Sequence, residues 1–114
     1  MTSCENNNIT TLIGLLKAMY VMVASNSNSD VEYGKKTIIQ IVQFLEKELT
    51  DNTLEYVEIV SMATKRYKSM FPPKGGLSDF HIWDNDYEIR YKANLEYEQI
   101  KAQIEEMLNT EKIL

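Results

Sequence analysis

Cysteine, histidine and tryptophan each occur once in the 114 residues, proline twice and glycine four times. Each shortage excludes something. The lone Cys4 has no partner for an internal disulfide and cannot build a cysteine-rich zinc site, and a single free thiol fits a reducing cytoplasm. His81 is the one imidazole available as a base for nucleophilic catalysis, and Cys4 could pair with it only if the flexible N-terminal tail folded over the corner. No serine is flanked by glycines as a nucleophile elbow would be. Lys74-Gly75-Gly76 lacks the spacing and the following Lys-Ser/Thr of a phosphate-binding loop. Basic residues are also short, 12 against 17 acidic, which leaves a formal charge of −5. That balance argues against general nucleic-acid binding, which needs a basic footprint to release phosphate counterions.

Long apolar runs are missing too. The longest, Leu12 to Ala24, is interrupted by Lys17 and falls short of the roughly 20 residues of a bilayer crossing. It reads as a buried helix, so no membrane insertion is expected. The start of the chain, MTSCENNN, carries Glu5 and no Lys or Arg, the wrong flank for a secretory signal. Residues 1–8 are small and polar and are expected to be a flexible tail, with residues 9–114 forming a single helical domain. Hydrophobic content of 44% with 25% charge is ordinary for a folded domain, and enough for one core without staples.

What the chain has in quantity is helical periodicity. Ile9, Leu12, Ile13, Leu16, Met19, Tyr20 and Val23 recur at steps of three and four, and Leu15, Val21 and Met22 widen that face. The Ser/Asn run 25–29 ends this helix. Ser29 with Glu32 is a capping box opening a second helix, whose inward stripe is Val31, Ile38, Ile41, Val42, Leu45 and Leu49. Gly34 inside that pattern costs about 1 kcal/mol against alanine, so it is expected either to admit a neighbouring helix closely or to be simply tolerated. Asn52 with Glu55 suggests the next cap, before a seam of Tyr56, Val60, Ala63, Tyr67 and Met70. Lys65, Arg66 and Lys68 suit the negative end of that helix. Phe71 precedes proline and stops it.

Pro72-Pro73-Lys74-Gly75-Gly76 marks a corner, and FHIW, residues 80–83, is the one segment that could be extended. Asn85 with Glu88 and then Asn94 offer caps for further helices, the last with Tyr97, Ile100, Ile104, Met107, Leu108 and Ile113 inward. Without Gly or Pro after Leu77, these pieces could equally be one kinked helix. The expected fold is all-α: four or five helices in an antiparallel bundle with an irregular corner at about residues 71–84.

His81, Asp84, Asp86 and Glu88 are the one cluster with metal-ligand chemistry, but the EF-hand and Glu-x-x-His arrangements are absent. The two aspartates read as caps, so no metal, cofactor or catalytic residue is assigned. Glu96, Glu98, Glu105 and Glu106 fall where a solvated helix face carries charge.

Residues Gly75 to Trp83, read as Gly-Gly-Leu-Ser-Asp-Phe-His-Ile-Trp and followed by a charged stretch and a final helix, resemble a motif of a loose set of small, uncharacterised bacterial helical proteins. Those carry Gly-Gly-x-Ser/Asn-Asp followed by apolar residues, and look like immunity or antitoxin products. The resemblance covers the C-terminal third and rests on Gly75, Gly76, Ser78 and Asp79. It implies no activity. From the residues themselves, the glycines turn the backbone and Ser78 or Asp79 satisfies amides at the next helix start, a structural task. The functional alternative displays Phe80, His81 and Trp83 to a partner as aromatic anchors. The expected function is therefore a non-catalytic interaction protein that inhibits or regulates an unidentified protein partner. The alternatives are a homodimeric structural or regulatory domain, and a small metal-binding protein or enzyme centred on His81.

Overall fold

In the computed structural model, which describes residues 1–26 and 31–108, the chain forms four α-helices: α1 (Ser3–Ser25), α2 (Glu32–Asp51), α3 (Tyr56–Lys68) and α4 (Tyr87–Leu108). A single 3-10 turn, Gly76–Asp79, lies in the long connection before α4. There is no strand among the described residues, and the bundle is all-α. α1 packs against both α2 and α4, α2 against α3, and α3 against α4. The side chains between them form one apolar core.

The periodicity sets the inward faces. Ile9, Leu12, Ile13, Leu16, Met19 and Val23 of α1 are buried, as are Ile38, Ile41, Val42 and Leu45 of α2. α3 contributes Ile59, Val60, Ala63 and Tyr67, and α4 contributes Tyr97, Ile104 and Leu108. Tyr20 and Leu49, expected inside, are only partly covered. Ile113 and Ser29 lie outside the described residues.

Helix ends depart from the sequence reading in an instructive way. The expected tail 1–8 is helical from Ser3, because Thr2 and Glu5 form a capping box: the Glu5 amide donates to Thr2 Oγ1 at 3.1 Å, and the Thr2 amide to Glu5 Oε1 at 2.9 Å. α1 thus reaches 23 residues, and by length and composition it could cross a membrane, with 33% of its most apolar window buried inside the protein. Asn52 does not cap α3. It ends α2 in the left-handed region at φ 52°, a conformation asparagine tolerates, and Glu55 with Glu58 supplies the α3 box instead. α2 begins behind Val31, which makes no side-chain cap bond.

Gly34 is where a neighbour does approach closely, but that neighbour is the 3-10 turn. A Cβ on Gly34 would lie 2.8–3.0 Å from three carbons of the buried Leu77 side chain. Absence of a side chain in α2 therefore seats the corner against the bundle.

Candidate functional site: the corner and the exposed face of α4

The corner is built from the motif residues. Gly75 and Gly76 both have positive φ (80° and 57°), and a Cβ on Gly76 would come within 2.9 Å of the Met70 carbonyl oxygen. The Leu77 amide donates to that same carbonyl at 2.9 Å. Asp79 reaches backwards and accepts the Gly75 amide at 2.9 Å, while the Ser78 hydroxyl donates to the Pro72 carbonyl. All four motif residues are thus committed to closing the turn. The expectation that Ser78 or Asp79 serves a following helix is corrected: both bonds point back into the corner, because α4 begins well downstream.

From Phe80 the chain runs extended, and successive side chains alternate. Phe80 and Ile82 are buried, and the Phe80 ring sits 5.0 Å from the ring of Tyr97. Phe80 is therefore a core residue and not a displayed anchor. His81 and Trp83 face outward, Trp83 with 63% of its surface exposed. The His81 Nδ1 atom lies 3.4 Å from the Asp79 carbonyl oxygen.

Asn94 holds this extended segment in place. Its side-chain oxygen accepts the Ile82 amide at 2.7 Å, and its side-chain nitrogen donates to the Ile82 carbonyl at 2.8 Å. One carboxamide thus pairs both polar groups of a backbone residue, as a neighbouring strand would. Asn94 was expected to cap a last helix. It lies instead in the interior of a continuous α4, because its carboxamide is occupied by Ile82 and by the Arg90 carbonyl. The true cap is Asp86, whose Oδ1 accepts the amides of Glu88 and Ile89 at 2.9 and 3.2 Å. Asn85, the expected cap, yields to Asp86, which stands directly before Tyr87, the first helical residue.

Asp84 in turn accepts the Asp86 amide at 2.8 Å. Asp84 and Asp86 are accordingly spent on backbone caps, and they do not converge with His81 and Glu88. Among the described residues, no group of three or more His, Cys, Asp or Glu comes together as metal ligands.

Beside Trp83 lies a shallow groove of about 430 Å³, lined by His81, Trp83, Tyr87, Arg90, Tyr91, Asn94, Leu95 and Glu98. Tyr87, Tyr91 and Leu95 follow one another by single turns along α4 and are 67%, 58% and 47% exposed. The two tyrosine rings are nearly parallel, 22° apart in plane with centroids 6.3 Å apart. The Arg90 guanidinium lies over the rings of Trp83 and Tyr87, at 4.4 and 5.4 Å from their centroids. Its Nη1 also reaches the Asp84 carbonyl at 3.5 Å.

Of the residues singled out in the sequence, His81 and Trp83 belong to this groove, and Gly75, Gly76, Ser78, Asp79 and Phe80 support it from behind. Tyr87, Arg90, Tyr91 and Leu95 were missed. Tyr87, Tyr91 and Leu95 stand in the sequence as an apolar row at i, i+4 and i+8, out of phase with the inward row through Tyr97, the half-buried Ile100 and Ile104. Placing helix starts at Asn85 and Asn94 cut that row in two. Comparison with known proteins found no matching family model, no matching curated protein and no matching solved structure.

Proposed function

We propose that this chain is a non-catalytic protein-interaction domain of the immunity or antitoxin kind, which inhibits or regulates a protein partner docked on the face from Trp83 to Leu95. One observation carries the reading. Of ten large apolar side chains exposed among the described residues, four (Trp83, Tyr87, Tyr91 and Leu95) line this one groove. The other six are spread over four helices. Apolar surface kept in water forgoes roughly 25 cal/mol per Å², so a concentration of it marks a contact surface, whereas isolated side chains need no explanation. Tryptophan, tyrosine and arginine are also the residue types that dominate binding energy at interfaces. The Ile82–Asn94 bonds restrain the backbone beside Trp83, which leaves less freedom to lose on docking.

The test compares immobilised wild type, Trp83→Ala and Val57→Ala as baits at micromolar concentration. A stoichiometric partner retained by wild type and Val57→Ala and lost by Trp83→Ala is expected. A folded wild type that holds nothing, or a Trp83→Ala bait that holds as much, overturns the proposal. The homo-oligomeric alternative draws on exposed Val21 of α1 and Val57 and Met62 of α3. It requires a concentration-dependent mass in light scattering that Trp83→Ala leaves intact.

A further inference from the structure

Charge around the groove narrows what it can receive. Residues 84–98 carry five carboxylates (Asp84, Asp86, Glu88, Glu96, Glu98) against two cations, Arg90 and Lys92. Among the described residues the ion pairs are Lys17–Glu46, Lys35–Glu32 and Lys101–Glu105, so none of those five carboxylates has a cation within 4.0 Å. Asp84 and Asp86 each use an oxygen on backbone amides. Glu88 and Glu98 accept no hydrogen bond within the described residues, and Glu98 lines the groove directly. The single cation inside the groove, Arg90, is turned onto Trp83 and Tyr87 rather than onto a carboxylate. It demonstrates how these rings take a guanidinium, through attraction between a cation and the negative face of an aromatic ring. Tyr87 and Tyr91 keep 67% and 58% of their surfaces exposed, which leaves aromatic surface for a second one.

Resting on the docking reading above, we propose that the occupant is a basic segment of the partner protein, whose arginine or lysine side chains stack on Tyr87 and Tyr91 and pair with Glu88 and Glu98. An acidic segment would meet the carboxylates as like charges. A neutral apolar one would strip water from Glu98 with nothing in return.

Synthetic peptides of about twelve residues, alternating arginine with leucine, serve as the probe, with glutamine or glutamate replacing arginine in the matched series. Binding is read from the emission of Trp83, the single tryptophan, and by calorimetry. The arginine peptide is expected to bind at least about tenfold tighter than the other two, with an affinity that falls as salt rises. Glu88→Gln with Glu98→Gln should weaken it about three- to tenfold, and Tyr87→Ala with Tyr91→Ala at least as much. The same loss of charge on α2, Glu46→Gln with Asp51→Asn, should change it less than about twofold, since exposed charges a Debye length away are screened.

Equal losses in the two charge-reduced proteins would mean attraction to net charge alone and overturn the proposal. Failure of the arginine peptide to bind would overturn it too, as would a dimer of this chain that Tyr87→Ala with Tyr91→Ala dissolves. If the glutamine or glutamate peptide binds best and the tyrosine variant abolishes it, the basic occupant is wrong while the docking face stands. The docking reading itself falls if the folded wild-type bait holds nothing, or if the Trp83→Ala bait keeps its partner.

Discussion

Glu48 shows how much one side chain can organise. Only 4% exposed, its carboxylate accepts the amides of Thr53 and Leu54 at 3.1 and 2.9 Å and the Thr53 hydroxyl at 2.8 Å. It therefore clamps the end of α2 to the start of α3. The Thr53 hydroxyl bond is the main cause that holds its pKa below the usual carboxylate value, with the Leu54 and Thr53 amides adding to it against the opposing effect of burial. A carboxyl whose pKa is lowered by folding stabilises the fold above its unfolded value of 4.5, and that stabilisation fades as pH falls through the lower folded value. Glu48→Gln should accordingly melt below wild type at neutral pH, and the gap should close on acidification below 4.5. Thermal melts of both proteins across that range check this; parallel curves would refute the clamp. Nothing in the sequence separates Glu48 from Glu46, because both are glutamates on a helix rich in charge. What distinguishes them is the fold of the loop that follows. Tyr67 and Tyr97 make the same point: burial, above all, pushes both phenols well above their ordinary value, and Tyr67 donates to Glu105 at 3.0 Å.

At the scale of elements, the link between the corner and α4 depends on Asn94. Asn94→Ala removes both partners of the Ile82 backbone and leaves a buried residue's amide and carbonyl unpaired. A cost of about 2–3 kcal/mol is expected in urea unfolding. Amide exchange should accelerate first at Ile82, and Trp83 should lose its fixed environment before the bundle melts. An unchanged stability would show that the segment 80–83 is held by Phe80 and Ile82 packing alone. The first three helices were legible: steps of three and four placed α1, α2 and α3 and named most of their buried residues, whereas the α4 region read equally as two helices or one kinked one. Their ends were less so. Capping residues are abundant in this chain: Asn52 and Asn85 each stand three residues before a glutamate, yet neither caps the helix that follows. Asn52, Asn85 and Asn94 all had the right chemistry, yet the fold uses one as a left-handed stop and one as a brace inside a helix. The choice among them depends on contacts made across the bundle, such as Asn94 with Ile82, twelve residues apart.

At the scale of the molecule, the core and the groove are separate. α4 buries Tyr97, Ile104 and Leu108 in its second half, while its first turns carry the exposed aromatics. Trp83→Ala combined with Tyr91→Ala is therefore expected to leave chemical stability within about 0.5 kcal/mol of wild type, as exposed substitutions usually do. A larger loss would mean that the rings support the fold rather than a partner. The amino-acid order by itself determined the all-α class, the inward rows of α1, α2 and α3 and the turn at the double glycine, because these follow from local periodicity and backbone sterics. Only the tertiary structure decided that Phe80 faces inward and Trp83 outward, that α4 is a single helix, and that Trp83, Tyr87 and Tyr91 share a surface. The row Tyr87, Tyr91 and Leu95 stands in the sequence, but which side of the extended segment meets the core, and so whether Trp83 joins that row, is a long-range matter of packing.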